Sequence, residues 1–338
     1  MLRFVAAGVA LLALMTGCGG DGGTGGDTKL TVYSGREEEL VEPLFERFEK
    51  DTGIDVDVRY GDSAELAATI AEEGDNSPAD VFFAQDPGSL GAVEEEDLLA
   101  ELPDEILDRV PERFRDPDGH WVGTSGRARV VAYNTEELSP NELPNSILGY
   151  TDPKWKGKIG LPPTNASFQA FVSAMVLTLG EERTRQWLEG IKANDPKLYE
   201  KNTPVVEAVA AGEIEVGFVN HYYLYLVKEE QPDAPVANDF LPGSDPGALV
   251  SVAGAGILES AEHEDAAGRF VEFLLSEEGQ RFYVDEAEEA EYPLIEGIEP
   301  KAGLPPLEQL QGPQIELDEL GPELEKTLLL LNEVGFTT

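Results

Sequence analysis

Cysteine and histidine are scarce in this chain, which has one cysteine, Cys18, and three histidines among 338 residues. A single cysteine excludes a disulfide framework within the chain and a metal site built on several cysteines. The histidines, His120, His221 and His263, are scattered and do not form a zinc-binding motif. No Gly-x-Ser-x-Gly segment is present either, so the sequence gives little support for an exported hydrolase.

Basic residues are also few, because 24 lysines and arginines stand against 67 acidic residues and the formal net charge is −43 at pH 7. The acids are spread along the chain, for example in Glu37–Glu39, Glu94–Glu96 and Glu286–Glu291. Such a negative field disfavours nucleic acids and anionic lipids as partners. A solvated surface suited to a salty habitat is the favoured interpretation, and a cation-collecting role is the alternative.

The N-terminal apolar run is shorter than the roughly 20 residues that a membrane-spanning helix needs. It extends from Phe4 to Met15 and leads into Thr16-Gly17-Cys18, the pattern of a signal peptide with its cleavage point. The segment before Cys18 resembles a bacterial lipobox, apart from Met15 where leucine is usual, and a glycine-rich tether follows. Residues 1–28 are therefore predicted to lie outside the fold. Lipidated Cys18 would then hold the protein on the outer face of the cytoplasmic membrane.

From Leu30 onward, short apolar runs alternate with segments of helical periodicity. Strands are predicted at residues 30–33, 56–60, 79–84, 158–161 and 215–219, and helices at 40–52, 64–73, 168–179, 183–192 and 204–211. This alternation predicts an α/β protein with doubly wound, parallel sheets, and the chain length fits two such lobes. Ligands of these sheets bind beyond the carboxyl ends of the strands, which here are loops 33–39, 85–88 and 220–225.

The adjacent tyrosines Tyr222 and Tyr223 are the residues in these loops with the most distinctive chemistry. Phenolates are hard oxygen donors and suit Fe³⁺ better than soft metals. A free phenol titrates near pH 10, so two phenolates need a strong cation beside them, and a helix N-terminus helps. Both rings can reach one ion only at a strand-to-helix junction. By itself, a tyrosine pair is more often a packing feature.

Seven short stretches of the chain resemble the ferric-ion-binding proteins of bacterial iron ABC importers, in the order and spacing of that family. They are Val32–Gly35, Pro78–Phe83, Ser125–Val131, Asp152–Lys158, Lys201–Thr203, Asn220–Tyr223 and Asp245–Ser251. Each stretch is a weak signal alone, but together they extend the resemblance over nearly all of Leu30 to Leu294.

The resemblance implies a two-lobed periplasmic-binding-protein type II fold with a hinge near Arg129-Val130 and Ser251-Val252. It implies an N-terminal lobe of residues 29–129 with 252–303 and a C-terminal lobe of 130–251 with 304–338. Tyr222 and Tyr223 stand where the family's tyrosine pair binds Fe³⁺. The positions implied for a synergistic anion, phosphate or carbonate, are Thr164, Asn165, Ala166, Asn202 and Asn220.

Two positions depart from the family pattern. Glu37 stands where members with a histidine ligand have that histidine, and Gln85 stands where they have glutamate. The formal charge of the set is unchanged, and Fe³⁺ with two phenolates and one carboxylate is neutral. We therefore predict Glu37 as the carboxylate ligand, with Gln85 as a hydrogen-bonding neighbour at the metal. In the alternative, Asp86 reaches the metal. Other members use a third tyrosine, which this chain lacks, since Ser167-Phe168 occupies that neighbourhood.

Three arginines near these positions, Arg36, Arg127 and Arg129, are conspicuous in so acidic a chain. Two interpretations remain open. One of these arginines balances a bound anion or a phenolate, or all of them pair with nearby carboxylates.

The resemblance implies a function as a monomeric, lipid-anchored solute-binding protein. It would capture ferric iron outside the cytoplasm and deliver it to the permease of an ABC importer. The alternative is a receptor for a small anion such as a phosphonate, or for another organic solute, with the same fold. An enzyme is the least favoured class.

The excess of acidic residues predicts that salt stabilises the fold. Repulsion between surface carboxylates is screened over about 30 Å at 0.01 M salt and over about 3 Å at 1 M. We therefore expect the midpoint of thermal unfolding to rise between low and high NaCl. Equal midpoints at the two concentrations would contradict adaptation of the surface to salt.

Overall fold

A computed structural model describes residues 28–285 and 290–337. The predicted signal peptide, Cys18 and the glycine-rich tether as far as residue 27 lie outside these residues. Among the helices of the described ranges, none combines the length and the apolar character needed to cross a bilayer.

Strands and helices alternate along most of the chain. The strands are β1 (Lys29–Ser34), β2 (Asp55–Tyr60), β3 (Val81–Ala84), β4 (Val122–Asn134), β5 (Ile159–Leu161), β6 (Lys197–Leu198), β7 (Val216–Asn220), β8 (Val236–Asp239) and β9 (Val250–Ile257). The helices are α1 (Glu38–Thr52), α2 (Ser63–Glu73), α3 (Pro87–Glu94), α4 (Asp104–Leu107), α5 (Ala166–Leu179), α6 (Glu181–Ala193), α7 (Asn202–Ala210), α8 (Tyr223–Glu230), α9 (Glu264–Leu274), α10 (Glu277–Asp285) and α11 (Leu320–Val334). The predicted strands and helices are all present, with ends shifted by a few residues.

Helix α1 illustrates how the sequence produces these elements. Val41, Leu44 and Phe48 lie on its buried face, at the three- and four-residue spacing of an amphipathic helix. Gly53 follows the helix with φ 72°, and its N–H donates to the Glu49 carbonyl. This left-handed conformation is accessible to glycine without a Cβ clash, and it ends the helix. Pro43 lies inside the helix.

The strand order is β2-β1-β3-β9-β4-β7-β5-β6, and β8 pairs with β4. At one end β1 pairs in parallel with β2 and β3, and at the other end β5 pairs in parallel with β6 and β7. These parallel groups confirm the predicted pattern. The strands between them are antiparallel, because β9 returns beside β3 and β4, and β4 runs against β7 and β8. Strands β4, β6, β8 and β9 are not among the strands predicted from the sequence.

Strand β4 is the element that connects the two parallel groups. All thirteen of its residues are buried. Its first part, from Val122 to Ala128, pairs with β9, whereas its second part, from Arg129 onward, pairs with β7 and β8. The strand therefore passes from one group to the other near Ala128 and Arg129.

Helix α11, near the C-terminus, packs against α3, α5 and α6 and so also contacts both groups. Its approach to α3 depends on Gly88 and Gly321, which face each other. A Cβ atom added to Gly321 would lie 2.6 Å from the carbonyl oxygen of Gly88. Real Cβ atoms do not come this close to backbone atoms. The two helices can therefore pack this closely only because neither glycine has a side chain.

Substitution of this glycine tests the contact. We expect Gly321→Ala to lower the free energy of unfolding by about 1–3 kcal/mol, because the added methyl group separates α11 from α3. The matched control is Gly268→Ala in α9, where a Cβ atom meets open space. That variant should be neutral or more stable by about 0.5–1 kcal/mol, because alanine has the higher helix propensity. Urea denaturation measures both, and equal effects would contradict the packing argument.

Candidate metal centre

The two tyrosines lie at the junction of β7 and α8. Strand β7 ends at Asn220, and α8 begins at Tyr223 with Tyr222 as its N-terminal flanking residue. The hydroxyl of Tyr222 donates to the hydroxyl of Tyr223 over 3.2 Å, and the ring centroids are 4.3 Å apart. Tyr222 is buried and Tyr223 is half-buried. The junction thus brings the two phenol oxygens together at the N-terminal end of a helix, where negative charge is favoured.

His221, the preceding residue, is fully buried and uses its ring for the backbone. Its Nδ1 accepts from the N–H of Ala128 at 3.2 Å, and its Nε2 lies 3.0 Å from the carbonyl oxygen of Ala290. Burial lowers the pKa of His221 to about 4, so the imidazole is neutral at pH 7. Because both ring nitrogens are engaged with the backbone, His221 fixes the junction and does not offer a nitrogen to a metal.

Arg129 lies beside the tyrosine junction, opposite Asn220 in the β4–β7 pairing. Its guanidinium donates to the Oδ1 of Asn220 at 3.0 Å and to the carbonyl of Phe218 at 2.8 Å. Burial lowers the pKa of Arg129 to about 9, and negative charge on Tyr223 or Tyr222 acts in the opposite direction. This buried cation has no carboxylate partner among residues 28–285 and 290–337. It therefore favours an anion or a phenolate nearby.

The predicted anion positions converge around Ser167. Asn165 caps the N-terminus of α5, and its Oδ1 accepts from the backbone and hydroxyl of Ser167 and from Asn202 at 2.6–3.1 Å. The Ser167 hydroxyl also accepts from Asn202 at 3.2 Å and from Arg129 at 3.3 Å. Two helix N-termini, those of α5 and α7, thus meet a buried arginine. Thr164, in the loop before α5, and Ala166, the first residue of α5, are exposed.

Asn202 is fully buried, and its Oδ1 has no hydrogen-bond partner within the described part of the chain. A buried acceptor without a partner is costly, so the site suits a ligand or water that brings a donor hydrogen.

The loops after β1 and β3 carry the remaining predicted residues. These strands pair side by side, and Gly35 of the first loop donates to the carbonyl of Phe83 at 2.8 Å. Glu37 is exposed and precedes α1 without a side-chain hydrogen bond to the helix. Gln85 is half-buried, and its backbone carbonyl accepts from the guanidinium of Arg127.

Asp86 has a different environment, because it caps helix α3. Its Oδ1 accepts from the backbone N–H of Ser89 at 2.8 Å, and its Oδ2 accepts from the hydroxyl of Ser89 at 2.9 Å. Burial raises the pKa of Asp86, and the two bonds from Ser89 oppose that rise. Both carboxylate oxygens are thus already used within α3, unlike those of Glu37.

Strand β4 places these loops on a common face. Arg127 and Arg129 are two residues apart, so their side chains point to the same side of the strand. Arg127 contacts the carbonyl of Gln85, and Arg129 contacts Asn220, next to the tyrosines. The loop after β3 and the loop after β7 therefore lie along one face of the same strand.

Two of the three arginines, Arg36 and Arg127, pair with a carboxylate, so the interpretation that all of them do holds for these two and not for Arg129. Glu291 is buried, and its carboxylate lies 3.2 Å from Arg36 and 3.3 Å from Arg127 and accepts from Ser125 at 2.5 Å. Burial opposes its charge, but the two guanidinium groups outweigh burial and hold the pKa of Glu291 below its ordinary value. The expectation that the acidic run ending at Glu291 is solvated is therefore wrong for this residue.

The roles of Ser167 and Glu291 are not among those predicted from the sequence. Ser167 has a local signal only through Asn165, because asparagine just before an apolar helical run is a typical N-cap residue whose side chain accepts from the backbone N–H two residues later. Glu291 carries none, because its partners are more than 100 residues away in the chain and it lies in an acidic run.

Comparison with known proteins identifies the relatives of this chain. Residues 76–310 match the family model described as bacterial extracellular solute-binding protein. The chain belongs to this family. Its members bind solutes and are not enzymes.

Two curated relatives are similar over most of the chain. The major ferric iron-binding protein of Neisseria meningitidis serogroup B is 37% identical, over 90% of this chain and 92% of the relative. The Fe(3+)-binding periplasmic protein of Serratia marcescens is 33% identical, over 91% of each. Among solved structures, iron-bound HitA from Pseudomonas aeruginosa is 35% identical with a TM-score of 0.82, over 91% of this chain and 99% of that one. These similarities confirm the predicted α/β, periplasmic-binding-protein type II fold.

The capping contacts distinguish Asp86 from Glu37 without any metal. Loss of an N-cap side chain costs about 1 kcal/mol of stability, whereas an exposed substitution stays within about 0.5 kcal/mol. We therefore expect Asp86→Ala to lower the free energy of unfolding by about that amount, and Glu37→Gln to leave it nearly unchanged. Chemical denaturation measures both variants. A fully stable Asp86→Ala would show that Asp86 does not cap α3.

Proposed function

We propose that this family member captures ferric iron outside the cytoplasm and delivers it to the permease of an ABC importer, with Tyr222 and Tyr223 as metal ligands. The observation that carries the proposal is the 3.2 Å separation of the two phenol oxygens at the start of α8. Neighbouring ligands of a small octahedral cation with bonds of about 2 Å are about 3 Å apart. Relatives from two genera are named as proteins that bind ferric iron, and this supports ferric iron as the cargo.

The chemistry of the ligands accounts for the choice of a trivalent cation. Two neighbouring phenols lose their protons together only beside a high positive charge, and phenolate oxygens match hard Fe³⁺. The N-terminal end of α8 adds to this positive field. Because binding releases protons, acidification should weaken it and assist release.

Glu37 is the proposed third protein ligand, and Gln85 is its polar neighbour at the metal. The exposed carboxylate of Glu37 has no hydrogen bond to the helix that it precedes, whereas both oxygens of Asp86 accept from Ser89. This difference supports Glu37 over Asp86 as the coordinating carboxylate. Two phenolates and Glu37 would neutralise Fe³⁺, so any anion that joins the metal brings net negative charge.

A synergistic anion such as phosphate or carbonate is proposed to bind at Thr164, Asn165, Ala166, Asn202 and Asn220, with Ser167 as an additional contact. Arg129 would balance its charge, since this guanidinium is buried beside Asn220 and Ser167. The backbone N–H groups at the start of α5 are suitable donors. The Oδ1 of Asn202, which has no hydrogen-bond partner among the residues that the structure describes, suits the hydroxyl of a hydrogen phosphate or hydrogen carbonate.

Capture and release are proposed to follow the closing and opening of two lobes, residues 29–129 with 252–303 and residues 130–251 with 304–338. The change of pairing partner along β4 near Ala128 and Arg129 supports a hinge there. Glu37 and Gln85 belong to one lobe in this division and the tyrosines to the other, so opening would remove a ligand from the metal.

The proposal includes a monomer held at the outer face of the cytoplasmic membrane by a lipid on Cys18. The alternative cargo, a small anion alone, has the Arg129 and Asn202 site in its favour. It gives no role to the paired phenol oxygens, and we therefore do not prefer it.

A ferric titration tests the tyrosine site. We expect chelator-stripped protein to develop a visible tyrosinate-to-iron charge-transfer band on addition of ferric citrate. Tyr222→Phe and Tyr223→Phe should each reduce or abolish the band, because each removes one phenolate. Tyr225→Phe is the matched control on the same helix and should keep it. A wild-type protein without the band would overturn the tyrosinate site and favour the anion receptor.

The same titration separates Glu37 from Asp86. In competition with citrate, Glu37→Gln should weaken iron binding roughly tenfold or more, equivalent to about 1.4 kcal/mol. Asp86→Asn should bind nearly as the wild type does. Wild-type affinity in Glu37→Gln, together with weak binding in Asp86→Asn, would assign the carboxylate ligand to Asp86.

A further inference from the structure

A second group of metal-ligating side chains lies at the far end of α3 from Asp86. One ligand atom from each of Glu94, Asp116 and His120 lies within 4.8 Å of the other two. Glu94 is the last residue of α3, about 10 Å along the helix from its start. Asp116 and His120 belong to the turn that leads into β4, and the backbone N–H of His120 donates to Asp116 at 2.8 Å. The turn therefore holds both side chains against the end of the helix.

The distances within the group fit a shared metal ion. The Nδ1 of His120 lies 3.3 Å from an oxygen of Asp116 and 3.6 Å from an oxygen of Glu94. Nδ1 is shielded from solvent, yet within residues 28–285 and 290–337 it has no partner in hydrogen-bond geometry. Nitrogen and oxygen ligands lie about 2.0–2.2 Å from a tetrahedral zinc ion, which places neighbouring ligands about 3.4 Å apart.

The charge at this position is not balanced by lysine or arginine. Asp116 is 1% exposed and Glu94 21%, and their ion pairs in the described ranges are with His120 alone. Asp318, just before α11, packs with its Cβ and backbone against Gly91, one turn before Glu94. One of its oxygens is buried and without a partner in the described part of the chain. Carboxylates held side by side in a partly or fully buried position are unfavourable without a cation, so this geometry favours a bound metal ion.

We propose that Glu94, Asp116 and His120 form a second metal site, for a divalent cation of the zinc class, with Asp318 at its edge. One imidazole nitrogen with carboxylate oxygens suits Zn²⁺ better than Ca²⁺ or Mg²⁺, which prefer oxygen alone. The site is separate from the tyrosines and does not depend on the ferric function. A bound ion would join the end of α3, the start of β4 and the segment that leads into α11.

Calorimetric titration of the full, chelator-stripped chain with ZnCl₂ tests this site. We expect one zinc ion per chain, with affinity at least tenfold weaker in both His120→Gln and Glu94→Gln. His263→Gln is the matched control, because His263 also pairs with a buried aspartate, Asp80, at 3.1 Å, but has no second carboxylate in its ion pair. Zinc should raise the thermal midpoint of the wild type and of His263→Gln, but not that of the other two variants.

Tyr223→Phe separates this site from the proposed ferric site and should keep its zinc affinity. Ferric titration of His120→Gln should match the wild type and also shows that this variant is folded. Zinc affinity unchanged in Glu94→Gln and His120→Gln, or lost equally in His263→Gln or Tyr223→Phe, would overturn the proposal. The cluster would then be only a contact of His120 with two carboxylates inside the fold.

Discussion

The buried strand β4 is the constraint on which the rest of the molecule depends. It pairs with β9 over its first part and with β7 and β8 over its second, so it belongs to both groups of strands. Because the strand is continuous, its pairing with β9 also fixes which side chains face each side where it pairs with β7 and β8. A shift of one residue in this pairing would move every side chain to the other face. The positions of Arg127 and Arg129 on one face are therefore fixed by the same hydrogen bonds that join the two halves.

The two arginines on that face differ in their partners: Arg127 pairs with a carboxylate, whereas Arg129 donates to neutral acceptors. Arg127 shares the buried Glu291 with Arg36, so the charges of that group are largely balanced within the fold. Arg129 is surrounded by neutral acceptors and by the ring of Phe171, 5.2 Å from its guanidinium carbon. A buried ion without a counter-ion is unfavourable, which agrees with a place where negative charge arrives during binding.

Local patterns predicted the elements well and the contacts between distant segments poorly. Alternating apolar runs predicted β1, β2, β3, β5 and β7, and helical periodicity predicted α1, α2, α5, α6 and α7, because each signal lies within a few residues. Strands β4 and β9 are glycine- and alanine-rich and buried, so they lack that alternation. Tyr222 and Tyr223 could be chosen as candidate ligands from residue chemistry and family resemblance. Glu291 could not, because only the folded chain brings it to Arg36 and Arg127.

The acidic surface attracts cations over a longer distance than the candidate metal centre does. Selectivity for a trivalent cation therefore has to come from the metal centre. Surface charges are screened beyond about 8–10 Å at moderate salt, so a net charge of −43 attracts many cations without distinguishing them. Discrimination requires donors whose protons leave only beside a high charge, held close together before the ion arrives. The junction of β7 and α8 is suited to this proposed role, because buried His221 fixes the backbone immediately before two phenol oxygens. Preorganisation of this kind reduces the cost of ordering ligands on binding.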